Sequence, residues 1–195
     1  MESVDFNNMR RAMVDSQLRT SGVSAPWVIA AMGSVARENF APATLRSNAY
    51  MDRALPLGKG RTLNPPLATG LMLEAADVAV DDNVLLVGVP RGYVAALLAG
   101  RVSSLVTIES LADLPEAKRK SPFSLILIDG AVEELPDGLL ALAQEDTRIV
   151  TGIAERGVTR LASGHVRDGK VALRPFADTE IAALPGFAHV PEFVF

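Results

Sequence analysis

Apolar positions recur at two different spacings along the chain, and the change of spacing divides it. From about Asn7 to Leu18 they follow a helical period. Met9, Met13, Val14 and Leu18 lie on one side and Arg10, Arg11, Asp15 and Arg19 on the other. That predicts an amphipathic helix, stopped at Gly22. Ser24 as N-cap and Pro26 in the first turn predict a second helix through Trp27, Val28 and Met32 to about Gly33. Within residues 36–50 a further short helix is entered at Pro42. Met51 to Asn64 is polar, carries Gly58 and Gly60 and shows no period, so it is expected to be a loop. Asn64 as N-cap and Pro65 at the first helical position then predict a helix through Leu67, Leu71, Met72 and Ala75.

From residue 83 onward the apolar runs are short and continuous: Val84 to Val87, Leu105 to Ile108, Phe123 to Ile128 and Thr147 to Ile153. Such runs fit strands of a parallel sheet whose two faces are both covered. Helical patterns at Tyr93 to Leu98 and Leu139 to Ala143 lie between them. Arg160 to Val166 and Val171 to Phe176, joined by Asp168-Gly169, predict a hairpin, and Val190 to Phe195 a last edge strand. Strands alternating with helices, then an antiparallel hairpin, imply an α/β fold: a mostly parallel sheet with a mixed edge and a helical N-terminal extension. No repeat or linker interrupts it, so the expected division is one domain over 1–195. Residues 1–76 form the extension and 77–195 the core.

The candidate chemistry centres on Asn83 to Tyr93, NVLLVGVPRGY, which reads as strand, glycine-bearing turn and helix. A turn of this kind directs backbone N–H groups and a helix N-terminus toward a bound ligand. Gly88, Val89 and Gly92 are therefore candidate cofactor contacts. The spacing is GxxxG, not the GxGxxG of dinucleotide folds. Glu109 ends the next strand about 20 residues past the turn, where a ribose-binding carboxylate lies in such units. Its plainer reading is a cap for the segment starting at Ser110. Asp129 ends the third strand on the same rim, with Asp-Gly turn chemistry as the plainer reading.

Composition narrows the rest. Hydrophobic residues make up 49% of the 195, which excludes global disorder. A net charge of −4 without a basic tract gives no attraction to nucleic acid, and Lys118-Arg119-Lys120 reads as a solvated turn. There is no cysteine, no uncharged apolar run long enough for a membrane span and no apolar leader. A cytoplasmic globular protein is expected. His165 and His189 have no carboxylate at ligand spacing, so no metal site is expected.

With these residues placed, the chain resembles the protein-L-isoaspartate O-methyltransferase family. The likeness runs through MVDSQLRTSGVS, VIAAMGSVARENFAP, AYMDRALPLGKGRTLNPP, the glycine turn, Glu109 and TRIVTGIAERG. It implies a Rossmann-like, S-adenosylmethionine-dependent methyltransferase fold. The implied reaction is methyl transfer to the free carboxylate of an isoaspartyl residue in damaged proteins. It implies a donor site at Gly88, Val89, Gly92, Glu109 and Asp129, and an acceptor loop at Thr62 and Asn64. The chain departs from the family at three places. Pro90 and Arg91 replace a glycine and a small residue. Asn64 and Pro65 replace serine and glutamine. Only residues 110–122 stand where the family has a helix, a strand and an acid contacting the adenine. A sheet short of one strand–helix unit follows. So does a second reading, a catalytically silent relative that binds a partner or dimerises through the exposed edge.

Overall fold

The computed structural model describes residues 4–184 and Gly186 of the chain. Helix α1 (Phe6–Met13) continues through a π-turn (Val14–Leu18) and a 3-10 turn that ends at Gly22, φ 95°. Helix α2 spans Pro26–Ser34, and 3-10 turns follow at Arg37–Phe40 and Ala43–Asn48. Residues 55–63 are not a loop. Strands β1 (Leu55–Gly58) and β2 (Arg61–Leu63) pair antiparallel around Gly58, Lys59 and Gly60, all at positive φ. Leu55 and Leu63 are buried, but Pro56 and the shortness of both strands hide the alternation.

Helix α3 (Pro66–Ala76) leads into the main sheet of β3 (Asn83–Val87), β4 (Ser104–Ile108), β5 (Phe123–Val132), β6 (Ala143–Glu155), β7 (Val158–Arg167), β8 (Lys170–Val171) and β9 (Arg174–Asp178). Its order is β4-β3-β5-β6-β7-β8, with β9 also on β7. Pairs β3/β4, β3/β5 and β5/β6 are parallel, and every pair made by β7 is antiparallel. The terminal antiparallel part is larger than the expected hairpin. Strands β6 and β7 pair over Arg148–Glu155 and turn at Arg156 and Gly157, both with positive φ, as a two-residue hairpin loop requires. Between β4 and β5 stand only a 3-10 turn (Leu111–Asp113) and the short helix α5 (Leu114–Lys118). Among the described residues no strand lies beyond β4. The expected Val190 to Phe195 strand falls outside the described residues.

Within each continuous apolar run the two faces alternate. Val84, Leu86, Leu125, Leu127 and Val150 join a core shared with Met13, Leu18, Val28, Met32, Met72 and Leu98 of the N-terminal helices and α4 (Tyr93–Leu98). Leu85, Val87, Ile126, Ile128 and Ile149 pack on the other side against Ala117 of α5 and Leu139 of α6 (Asp137–Leu140). Burial on both faces is why these strands read as unbroken runs. The N-terminal helices are therefore a layer on the sheet.

Two expected caps are made differently. The N-cap of α2 is Ala25, and the α3 carboxylate of Glu74 does the capping. It accepts from Ser24 N at 2.9 Å, Ala25 N at 2.7 Å and Ser24 Oγ at 2.7 Å. The N-cap of α3 is Pro65, with Pro66 in the first turn, which frees the Asn64 side chain for another task.

Candidate functional site

The order in which strands are added to the sheet reverses at β3: β4 follows on one side of it, and the chain returns to β5 on the other. Ligands of open α/β sheets bind outside the carboxyl ends of the strands at this point. A cavity of about 360 Å³ lies there, lined by Lys59, Gly60, Arg61, Thr62, Asn64, Gly88, Val89, Glu109, Ser110, Asp129 and Ala182 to Leu184. Thr62, Asn64, Gly88, Val89, Glu109 and Asp129 thus come together. Gly92 lines a neighbouring hollow of about 210 Å³, which shares Thr62, Val89 and Asp129 with the first.

The turn after β3 accommodates its unusual residues by geometry. Gly92 N donates to Val89 O at 2.8 Å, placing Pro90 and Arg91 at the two corners of a tight turn. Arg91 has φ 56°, so the pair matches a type II turn, with proline first and a left-handed residue second. Neither side chain lines the larger cavity. The glycines contribute room more than hydrogen bonds, since Gly88 N is already committed to Ile108 O at 2.9 Å. A Cβ at Gly88 would stand 3.1 Å from Asp129 Cβ, and one at Gly92 only 2.7 Å from Val89 O.

Asp129 is not in an Asp-Gly turn. Strand β5 continues to Val132, and the register against β6 shifts between Leu127 and Ala131, a bulge that re-aims Asp129 toward the cavity. Asn64, 2% exposed, donates Nδ2 to Asp129 Oδ1 at 2.8 Å and to Asp129 O at 3.2 Å. Its Oδ1 accepts from Ala182 N at 2.9 Å. Burial pushes the Asp129 carboxyl above the ordinary range, opposed by the Asn64 hydrogen bond and the nearby Arg37 charge. Arg37 itself is fully buried. It donates to Ala49 O at 2.7 Å and to Asn64 O, and lies over the Tyr93 ring at 4.8 Å. Nothing local in the sequence marks this arginine as an interior support of the site.

Glu109 stands at the carboxyl end of β4. It does not cap the next segment: Asp113 does, accepting from Glu109 N at 3.1 Å and Ser110 N at 3.0 Å. The Glu109 carboxylate instead meets Arg61 Nη1 at 2.6 Å. The remaining wall is a strap, residues 182–184. Ala131 N donates to Ala182 O at 2.8 Å and Leu184 N to Ala131 O at 2.9 Å, and only Gly130 leaves space for Leu184. Sequence reasoning passed over Lys59, Arg61, Ser110 and the strap. A cation within a glycine turn was the one available signal.

A Rossmann-like α/β sheet with a cleft at the switch point, an acid at the end of its second core strand and a glycine turn at the first defines the methyltransferase class of fold. The family model for protein-L-isoaspartate(D-aspartate) O-methyltransferase matches residues 8–121, and the chain belongs to that family, whose members take the methyl group from S-adenosylmethionine. Two proteins named protein-L-isoaspartate O-methyltransferase align along most of it. The one from Methanoculleus marisnigri is 29% identical over 95% of this chain and 96% of its own. The one from Koribacter versatilis is 30% identical over 91% and 90%. A Roseiflexus castenholzii relative is 45% identical over 54% of this chain and 48% of its own. Among solved structures, a Plasmodium falciparum protein-L-isoaspartate O-methyltransferase in complex with S-adenosyl-L-homocysteine superimposes with a TM-score of 0.73. It has 16% identity and covers 93% of this chain and 99% of that one.

Proposed function

We propose that this chain transfers a methyl group from S-adenosylmethionine to the free carboxylate of isoaspartyl residues in peptides and proteins. The observation that carries the reading is the convergence of Thr62, Asn64, Gly88, Val89, Glu109 and Asp129 on one cavity at the switch point. The residues fit the donor. Gly88 leaves open the space a Cβ would fill, and Glu109 offers a carboxylate suited to ribose hydroxyls. When bound, the donor supplies an electrophilic methyl on a sulfonium.

The acceptor oxygen is already anionic near neutral pH, so the site must position and desolvate it more than deprotonate it. Thr62, which lines both hollows, is the hydroxyl available to orient the acceptor. Asn64 has its amide committed to Asp129 and Ala182, and serves as a positioning residue that holds the acid and the strap. Pro90 and Arg91 stand outside the lining of the larger cavity, which supports the enzyme over a silent relative, while Arg91 lines the neighbouring hollow beside Gly92.

The same reading extends to organisation and partners. Residues 1–195 act as one domain, because the N-terminal helices and the sheet share one apolar core. A net charge of −4 gives no general attraction to nucleic acid, and the proposed acceptors are peptides and proteins. Strand β4, paired with β3 alone among the described residues, is where a second copy would add, and size-exclusion chromatography reads that. No described helix is long and apolar enough to cross a membrane, in keeping with a cytoplasmic site of action.

Titration calorimetry with S-adenosylhomocysteine, followed by methyl transfer to an isoaspartyl peptide with its aspartyl twin as control, tests the function. Micromolar binding and turnover of the isoaspartyl peptide alone are expected. No heat at millimolar ligand sinks the proposal.

A further inference from the structure

Arg61 and Glu109 reach each other across the cavity, the first from the β1–β2 hairpin and the second from the end of β4. The contact is single-pronged: Nη1 to Oε1 at 2.6 Å. The guanidinium keeps a further donor, Nε, that is buried and has no acceptor. Both side chains remain partly exposed, at 33% and 43%, so the pair is screened and readily exchanged. Arg37, Arg101 and Arg148 also keep a buried donor unmatched, but of these four arginines Arg61 alone lines the cavity, where an entering anion can take that donor.

Charge adds a second argument. Glu109 is an acid on the cavity wall, and an anionic acceptor entering beside it needs a compensating cation. Lys59 and Arg61 are the two cations in the lining. Arginine is the one whose planar fork grips a carboxylate with two parallel N–H groups.

We propose that Arg61 is the acceptor-carboxylate clamp of this site, held on Glu109 until the donor's ribose takes that acid over. The inference rests on the methyltransferase reading. A carboxylate that accepts from ribose hydroxyls commits lone pairs and charge to them and holds Arg61 less tightly. The screened Arg61–Glu109 contact then exchanges, and the fork takes the acceptor's carboxylate. Arg61 thereby orders the sites, donor before acceptor.

The test uses the full chain and its Arg61→Gln, Arg61→Lys and Lys59→Gln variants, each checked for folding by circular dichroism. Calorimetry with S-adenosylhomocysteine reads the donor site, and the KM for an isoaspartyl peptide reads the acceptor site. Arg61→Gln is expected to bind S-adenosylhomocysteine as tightly as the wild type or more tightly. It should also raise the peptide KM about 10- to 100-fold, the loss of one charge-assisted contact. Arg61→Lys should shift both in the same directions by less, and it decides the matter if the glutamine variant fails to fold. An equal loss at both sites assigns Arg61 a purely structural role and overturns the proposal. So does an unchanged peptide KM, or a rise produced by Lys59→Gln in its place. A wild-type protein that binds no S-adenosylhomocysteine fails the methyltransferase reading first, and the clamp falls with it.

Discussion

The side-chain amide of Asn64 donates to Asp129 at 2.8 Å, joining the residue that enters α3 to an acid 65 positions away in β5. The same side chain accepts from Ala182, so three separate segments meet on one buried amide. Asn64→Ala would leave the Ala182 N–H without its partner and take a donor from Asp129. Each buried group left unmatched costs about 1–3 kcal/mol, and urea denaturation should show a loss of that size. Asn64→Asp keeps the shape but sets a second carboxyl against Asp129. Like charges raise each other's pKa, so its destabilisation should be greater at pH values above the ordinary carboxylate range than below it.

Asp129 makes its own stability–pH prediction. Its folded pKa is raised by burial, so the protonated form is the one the fold prefers. The favourable contribution is complete below the ordinary aspartate pKa and is lost as pH rises through the raised value. Asp129→Asn retains an oxygen for Asn64 and removes the titration. Relative to wild type it should gain stability as pH rises from the ordinary aspartate range toward neutrality, measured by the denaturant midpoint at each pH.

Gly88 and Gly92 should fail in different ways. A Cβ at position 92 would meet Val89 O at 2.7 Å, inside the turn itself. Gly92→Ala should therefore destabilise the fold by about 1–3 kcal/mol, the usual cost of overpacking. At position 88 the nearest contact is 3.1 Å, to Asp129 Cβ on the cavity wall. Gly88→Ala should change the melting temperature less and S-adenosylhomocysteine affinity more. Thermal unfolding and calorimetry on the two variants separate the effects.

Glu74 caps α2 from a neighbouring helix, and its removal should cost about 1–2 kcal/mol, as for an ordinary N-cap. Burial raises its pKa, but the hydrogen bonds from Ala25 and Ser24 outweigh that and leave it lowered. The contribution is thus present above the ordinary glutamate pKa and is lost as pH falls through the lowered value. Glu74→Ala should differ from wild type at neutral pH and converge with it in acid, read by chemical denaturation across that range.

Much of the fold was legible because its causes are local. The runs Val84 to Val87 and Phe123 to Ile128 follow from burial on both faces, and Gly88 and Gly92 sit where a strand must turn tightly into α4. That Glu109 ends its strand on the cavity rim was legible from its distance past that turn, but its contact with Arg61 was not. The β1–β2 hairpin stayed hidden because strands of four and three residues, one broken by Pro56, leave too few positions for a period to show. Asn64 was misread as a cap because its helix-entry context is a strong local signal; Pro65 and Pro66 bring no N–H to be capped, and Asp52 Oδ1 accepts from Leu67 N at 3.0 Å in its place.

The sequence alone determined the order and type of the core strands, the glycine turn and the family resemblance, all properties of neighbouring residues and their spacing. Tertiary structure decided which side chains face one another: Asn64 with Asp129 and Ala182, Arg61 with Glu109, Glu74 with the start of α2. These partners lie 48 to 118 residues apart. Hydrogen bonds and ion pairs act over a few ångströms in space and are indifferent to separation along the chain, so only the folded arrangement of strands could bring them within reach.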